Sequence, residues 1–114
     1  MYRPFRLSSG ADFRRAREHG SPFRDRFLVV LVRRNDGSQS RFGFVTSGKI
    51  GGAVQRNSVR RLLREAARST VPDLAASYDI VVIATRQAVG ANFNRISESL
   101  GALLRRAGVV HPQG

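Results

Sequence analysis

The chain has no cysteine, which excludes disulfides and thiolate metal sites and fits a reducing compartment such as the cytoplasm. It has no apolar run approaching the ~20 residues that a bilayer span requires. The longest candidate, Phe27 to Val32, has the length of a strand. The opening Met1-Tyr2-Arg3-Pro4-Phe5-Arg6 carries charge with no apolar stretch behind it, so no secretory leader and no membrane association are expected. Histidine is confined to His19 and His111, too far apart in sequence to suggest an acid/base pair or a ligand set. Acidic residues are few and scattered: Asp12, Glu18, Asp25, Asp36, Glu65, Asp73, Asp79 and Glu98. None forms the paired motif that holds two metal ions about 3.5–4 Å apart. The polypeptide is therefore expected to carry no catalytic residue and no metal site of its own.

What is abundant is positive charge. The 114 residues hold 20 basic against 8 acidic side chains, for a formal charge of +12 and a pI near 11.9. Lys49 is the single lysine, so 19 of the 20 are arginine. Guanidinium groups grip phosphate through two parallel hydrogen bonds and stack on bases, whereas an ammonium acts as a point charge. Arginine-favouring codon usage produces the same bias, so the charge carries more weight than the choice of residue. A charge of this size asks for nucleic acid or an anionic membrane, and the lack of a spanning segment favours nucleic acid. The length suits a single domain over residues 1–114, with no linker, internal repeat or low-complexity segment to divide it.

Periodicity and punctuation predict six elements. Ser9-Gly10-Ala11-Asp12 resembles a capping box and starts a short helix running to Glu18, before His19-Gly20-Ser21-Pro22. Arg26 to Arg33 and Arg41 to Thr46 are β-branched or aromatic runs, joined by the turn-forming Asn35-Asp36-Gly37-Ser38, and predict an antiparallel hairpin. A basic helix follows over roughly Asn57 to Ser69, ending before Val71-Pro72. Tyr78 to Ala84 is apolar without a break from Ile80 onward, which suits a central strand of the kind found in parallel sheets. From Asn92 as N-cap, Phe93, Ile96, Leu100, Leu103, Leu104 and Ala107 recur at helical spacing until Gly108. The order helix, hairpin, helix, strand, helix predicts an α/β (α+β) fold, a small two-layer sandwich with helices on a sheet of three or four strands. The first helix need not share a face with the others.

The segment from Lys49 to Glu65 is the most informative. A glycine pair, Gly51-Gly52, leads into a helix on which Arg56, Arg60, Arg61, Arg64 and Arg68 share one broad sector, while Val59, Leu62, Leu63 and Ala66 share the opposite one. Arginines four apart repel, costing an isolated helix roughly 0.2–0.5 kcal/mol per pair. Arg56, Arg60, Arg64 and Arg68 form such a series, with only Glu65 placed to offset Arg61. A polyanion would relieve the repulsion, although a solvated arginine face gives the same wheel. The glycines permit close approach of backbone to phosphate, as a plain loop also requires. The Lys49-Ile50-Gly51-Gly52 string lacks the spacing and hydroxyl residue of a nucleotide-binding P-loop.

These residues resemble the protein subunit of bacterial ribonuclease P over nearly the whole chain. The family signature, Gly-x-x-x-Ser-x-Lys-Ile-Gly-x-Ala-Val-x-Arg-Asn-x-x-Lys/Arg-Arg-x-x-Arg-Glu, appears in loose register as Gly43 to Gly51, Ala53-Val54, Arg56-Asn57, Arg60-Arg61 and Arg64-Glu65. Softer matches are Arg6-Leu7, Asp12-Phe13, Gly20 and Arg26-Phe27. The resemblance implies a ribosomal-protein-S5-domain-2-like fold with a left-handed βαβ crossover, an exception to the usual right-handed rule. It also implies a 1:1 ribonucleoprotein in which the catalytic RNA, with Mg²⁺, removes the 5′ leader of precursor tRNA while the protein binds both RNAs. Lys49, Arg56, Asn57, Arg60, Arg61, Arg64 and Arg68 are then the expected contacts to the catalytic RNA, with Asn57 equally able to cap the helix. Phe13, Arg14, Arg17, Phe27 and Phe44 are expected to line a leader cleft between the first helix and the sheet. Phe13 and Phe44 have core packing as the alternative role, favoured for Phe44. The chain departs from the family pattern at Ser58 and Gly48, where basic residues are frequent, and at Arg17 and Val30, where the cleft often has aromatics. Two other functions fit the same charge and size: a structural RNA-binding protein of ribosomal type, and an autonomous nuclease.

Overall fold

The computed structural model describes residues 10–35, 37, 40–47, 49–70, 74 and 77–110, with side chains from Arg14 onward. Ser9, Asp36, Ser38, Gly48, Pro72 and His111, and the side chains of Asp12 and Phe13, lie outside the described residues. The elements are α1 (Gly10–His19), β1 (Ser21–Arg24), β2 (Leu28–Arg34), β3 (Arg41–Val45), α2 (Ala53–Thr70), β4 (Tyr78–Ala84), a 3₁₀ turn (Arg86–Ala88) and α3 (Phe93–Ala107). They form an α+β fold with one mixed sheet in the order β1-β2-β4-β3. Among the described residues no helix is long and apolar enough to cross a membrane.

The expected hairpin between β2 and β3 does not form, because β4 inserts between them. It pairs antiparallel with β2, from Leu28 opposite Ala84 to Arg34 opposite Tyr78, and parallel with β3, from Arg41 opposite Asp79 to Val45 opposite Ile83. The reason lies in side-chain alternation. Ile80, Val82 and Ala84 point to one face and Val81 and Ile83 to the other, so β4 loses apolar contact anywhere but the centre. β3 begins with the half-exposed Arg41 and tolerates the edge. The hairpin that does form joins β2 to β1, a strand the sequence reading missed because Pro22 looked like a stop. On an edge strand the missing amide of a proline costs no ladder bond. Asp25 shapes this turn, its Oδ1 accepting from the Phe27 and Leu28 amides at 2.8 and 3.0 Å.

Helices cover both faces of the sheet, which corrects the two-layer expectation to three layers. α2 and α3 enclose the larger core with Leu28, Val30, Val32, Phe42, Ile80 and Val82. α1 seats Ala16, fully buried, against Val81, Leu31, Val45 and Ile83 on the opposite face. Gly20 allows α1 to turn directly into β1: its amide donates to the Ala16 carbonyl at 2.8 Å, and a Cβ there would collide with that same oxygen. α3 has the expected ends. Asn92 accepts from the Arg95 amide at 2.9 Å, and Gly108 closes the helix at φ 74°. Its Ile96, Leu100, Leu103 and Leu104 are buried, while Phe93 on the first turn stays 41% exposed.

A buried carboxylate locks the strand order. Asp79 on β4, 1% exposed, takes two hydrogen bonds of 2.9 Å from Arg41 on β3 and a third of 2.9 Å from the Asn35 amide group at the end of β2. Arg41→Leu leaves that carboxylate short of its main donor and is expected to lower stability by roughly 1–3 kcal/mol. A urea melt with an unchanged midpoint would show that another donor replaces it. Leu63→Ala, at a fully buried position of α2, is expected to cost about 2–5 kcal/mol in the same assay.

Candidate nucleic-acid interface

The basic helix begins a full turn earlier than the sequence suggested. Gly51 adopts φ 147°, a conformation that glycine tolerates and side chains resist. Gly52 then takes the N-cap position: the Arg56 amide donates to its carbonyl at 3.0 Å, and the Gln55 side chain reaches back to accept from its amide at 2.9 Å. This is the returning half of a capping box. Asn57 therefore sits inside α2 and does not cap it. The preceding loop is pinned by Ile50, which is 8% exposed and part of the main core, while Lys49 beside it points outward.

α2 buries Val59, Leu63, Ala66 and Ala67, with Leu62 half-buried at the margin. On the other side Asn57, Arg61 and Arg68 are exposed and Arg56, Arg60 and Arg64 are half-buried along the flank. Arg60 is held in place: one guanidinium nitrogen donates to Thr46 Oγ1 at 2.7 Å and another to Asn57 Oδ1 at 3.2 Å. Thr46 lies just past β3, so this bond ties the helix flank to the sheet edge. Sequence reasoning did not single out Thr46, since fourteen residues separate it from Arg60 and nothing in their spacing signals contact. Glu65 stands 3.8 Å from Arg68, one turn away, and not against Arg61 as the wheel suggested. Val54, also passed over, is 79% exposed on the first turn of α2.

The residues expected to line a cleft do not converge. Arg14 and Arg17 are exposed on α1, on the opposite face of the sheet from α2. Phe44 stacks on Phe42, with ring centroids 6.1 Å apart and planes 6° from parallel, and packs against the α2–α3 core. Phe27 also packs against that core from the β1–β2 turn, with the Arg26 guanidinium 5.7 Å from its ring centre. Val30 is fully buried on the same face. Phe44 and Val30 thus fall on the wrong side of the sheet for an α1 cleft, because residues of one parity along a strand share a face, and Phe27 reaches the same core from the turn. The side chain of Phe13 lies outside the described residues. Among the described residues no group of three or more histidine, aspartate or glutamate side chains is arranged to hold a metal ion.

The geometry defines a small basic α+β protein with guanidiniums ranked along one helix and fixed against a strand edge. The family model for ribonuclease P matches residues 1–108. Over 108 residues the chain is 42% identical to the ribonuclease P protein component of Chloroflexus aurantiacus, covering 94% of this chain and 80% of that one. It is 36% identical over 104 residues to the corresponding component of Clostridioides difficile, covering 90% and 91%. The fold superposes on the RNase P protein of Staphylococcus aureus with a TM-score of 0.84 at 31% identity, covering 94% of this chain and 98% of that chain. The chain belongs to the ribonuclease P protein family: it is a subunit of that endoribonuclease, which acts in tRNA processing, and as such associates with ribonuclease P RNA.

Thr46→Val keeps the volume and removes the acceptor that holds Arg60. Losing one such hydrogen bond, about 1 kcal/mol, is expected to weaken RNA binding roughly five-fold with little change in melting temperature. Filter binding on the ribonuclease P RNA measures it, and wild-type affinity would mean that Arg60 needs no positioning.

Proposed function

We propose that the arginine flank of α2 lies against the sugar-phosphate surface of the catalytic RNA of ribonuclease P and that the polypeptide leaves the hydrolysis to that RNA. The observation that carries this is the clamp on Arg60, which holds a guanidinium at the helix–sheet junction beside exposed Arg61 and Lys49. Prepositioned guanidiniums lose less freedom on meeting phosphate, and a polyanion relieves the repulsion among them. Arg56, Asn57, Arg64 and Arg68 extend the same surface along the helix.

On this reading the exposed Arg14 and Arg17 of α1 attract the 5′ leader of precursor tRNA on the other face of the sheet. The leader is then held by charge more than by stacking, since Phe27, Phe44 and Val30 are turned into the core. Mg²⁺ supplies the activated water and the charge neutralisation for phosphodiester hydrolysis, and the RNA holds it. Among the described acids, Asp25 and Asp79 are spent on internal hydrogen bonds and Glu65 faces Arg68. The protein's part is to screen phosphates and reduce the repulsion between the two RNAs, so that fewer cations are needed to bring them together. The same reading assigns a single RNA-binding domain over 1–114, a 1:1 cytoplasmic ribonucleoprotein, and a left-handed, ribosomal-protein-S5-domain-2-like crossover for the β3-α2-β4 unit.

At low Mg²⁺, precursor tRNA cleavage by a ribonuclease P RNA is expected to rise when the protein is added. No stimulation would leave a structural RNA-binding role, and cleavage by the RNA-free protein would make it a nuclease. Arg60→Ala and Arg61→Ala are each expected to reduce the slope of log affinity against log salt by about 0.7–0.9. An unchanged slope in filter-binding titrations would place those side chains in solvent.

A further inference from the structure

A second concentration of guanidiniums lies at the other edge of the sheet. The strand order puts β1 and β3 at opposite edges, and α3 packs over β1 and β2 as α2 packs over β3. Arg24 and Arg26, from β1 and its turn, and Arg95, Arg105 and Arg106, from α3, are all exposed there. Arg86 joins them from the 3₁₀ turn, because the adjoining Thr85 donates its hydroxyl to the Arg26 and Phe27 carbonyls, at 2.5 and 3.0 Å. Among the described residues only Asp25 and Glu98 oppose this charge. Asp25 is turned inward, with Oδ1 on the turn amides and Oδ2 accepting from the Ser99 hydroxyl at 2.5 Å.

The chemistry selects the kind of partner. An open cleft runs between the turn and α3, walled by Arg26 and Phe27 on one side and Arg95 and Glu98 on the other. A lipid surface would need an apolar stripe beside the cations, but Ile96, Leu100, Leu103 and Leu104 of α3 are buried in the core, and Phe93 by itself makes no stripe. A single-stranded leader would need several exposed rings for successive bases, yet the ring of Phe27 packs on the core with the Arg26 guanidinium over it, and Phe93, 41% exposed on the first turn of α3, stands alone. What is left is an array of phosphate-gripping groups, with Arg106 steadied by a 3.2 Å bond to the Arg24 carbonyl. Such an array fits the backbone of structured RNA.

We infer that the β1–α3 end is a second docking surface for ribonuclease P RNA, gripping a segment separate from the one at α2. The inference rests on the function proposed above for α2. The two surfaces, at opposite edges of the sheet, would let one protein brace two parts of the RNA against each other.

Because the chain contains no cysteine, one introduced cysteine gives a unique tether for iron–EDTA, which cuts nearby RNA by hydroxyl radicals. Arg26→Cys, Arg95→Cys and Arg61→Cys, each assembled with ribonuclease P RNA and precursor tRNA, form the experiment. Cuts in the ribonuclease P RNA from positions 26 and 95, at a segment other than the one cut from position 61, are the expected result. Cuts from position 61 alone, cuts from 26 and 95 confined to the precursor tRNA, or one common segment for all three positions would each overturn the second surface while sparing the α2 contact. An assembled complex uncut from any position would sink the α2 reading as well. In parallel, the double variant Arg26→Ala/Arg95→Ala is expected to lower the salt slope of assembly by about 1.4–1.8, and a wild-type slope would overturn the inference independently.

Discussion

Everything in this architecture depends on β4 being apolar on both of its faces. A strand of that kind is stable only when covered above and below, so it takes the centre of the sheet, separates β2 from β3 and calls helices to both sides. α2 and α3 cover Ile80 and Val82, and α1 covers Val81 and Ile83. The distribution of charge follows from this covering. Each helix has one face in the core and turns its arginines outward, so guanidiniums emerge on opposite sides of the sheet and at both of its edges.

Charge of one sign is a burden to the folded chain, and two of the few acids are placed where they tie its elements together. Asp79 lies buried at the junction of β2, β3 and β4 and accepts from Arg41 and Asn35. Asp25 joins the β1–β2 turn to α3 through Ser99. A carboxylate with several hydrogen bonds in a low-dielectric setting holds its neighbours far more firmly than an exposed one. Spending acids inside leaves the surface strongly cationic, and an anionic partner offsets the resulting self-repulsion. The subunit's association with ribonuclease P RNA is thus consistent with how its own acids are used.

The extended motif from Gly43 to Glu65 made the family legible, because its glycines, lysine and spaced arginines meet separate physical demands in one stretch. Helical periodicity located α3 to within a residue at each end, since Asn92 and Gly108 are strong local signals. Elsewhere local signals misled. Gly51-Gly52 read as a loop, but Gly52 caps the helix with help from Gln55, a reach-back bond that no periodicity records. Pro22 read as a break, although an edge strand accommodates it. Phe27 and Phe44 were assigned to a cleft by analogy, but strand parity turned Phe44, and the β1–β2 turn placed Phe27, into the α2–α3 core.

The chain alone, then, determined the class of its partner, most of the segments that form helices and strands, and which side of α2 is charged, because net charge and residue periodicity are properties of one dimension. Only the tertiary structure decided which strands are neighbours, that α1 lies across the sheet from α2, and that Thr46 holds Arg60. Those outcomes are settled by competition among distant segments for burial beside β4 and for the few available hydrogen-bond acceptors, and such competition leaves no mark on local sequence.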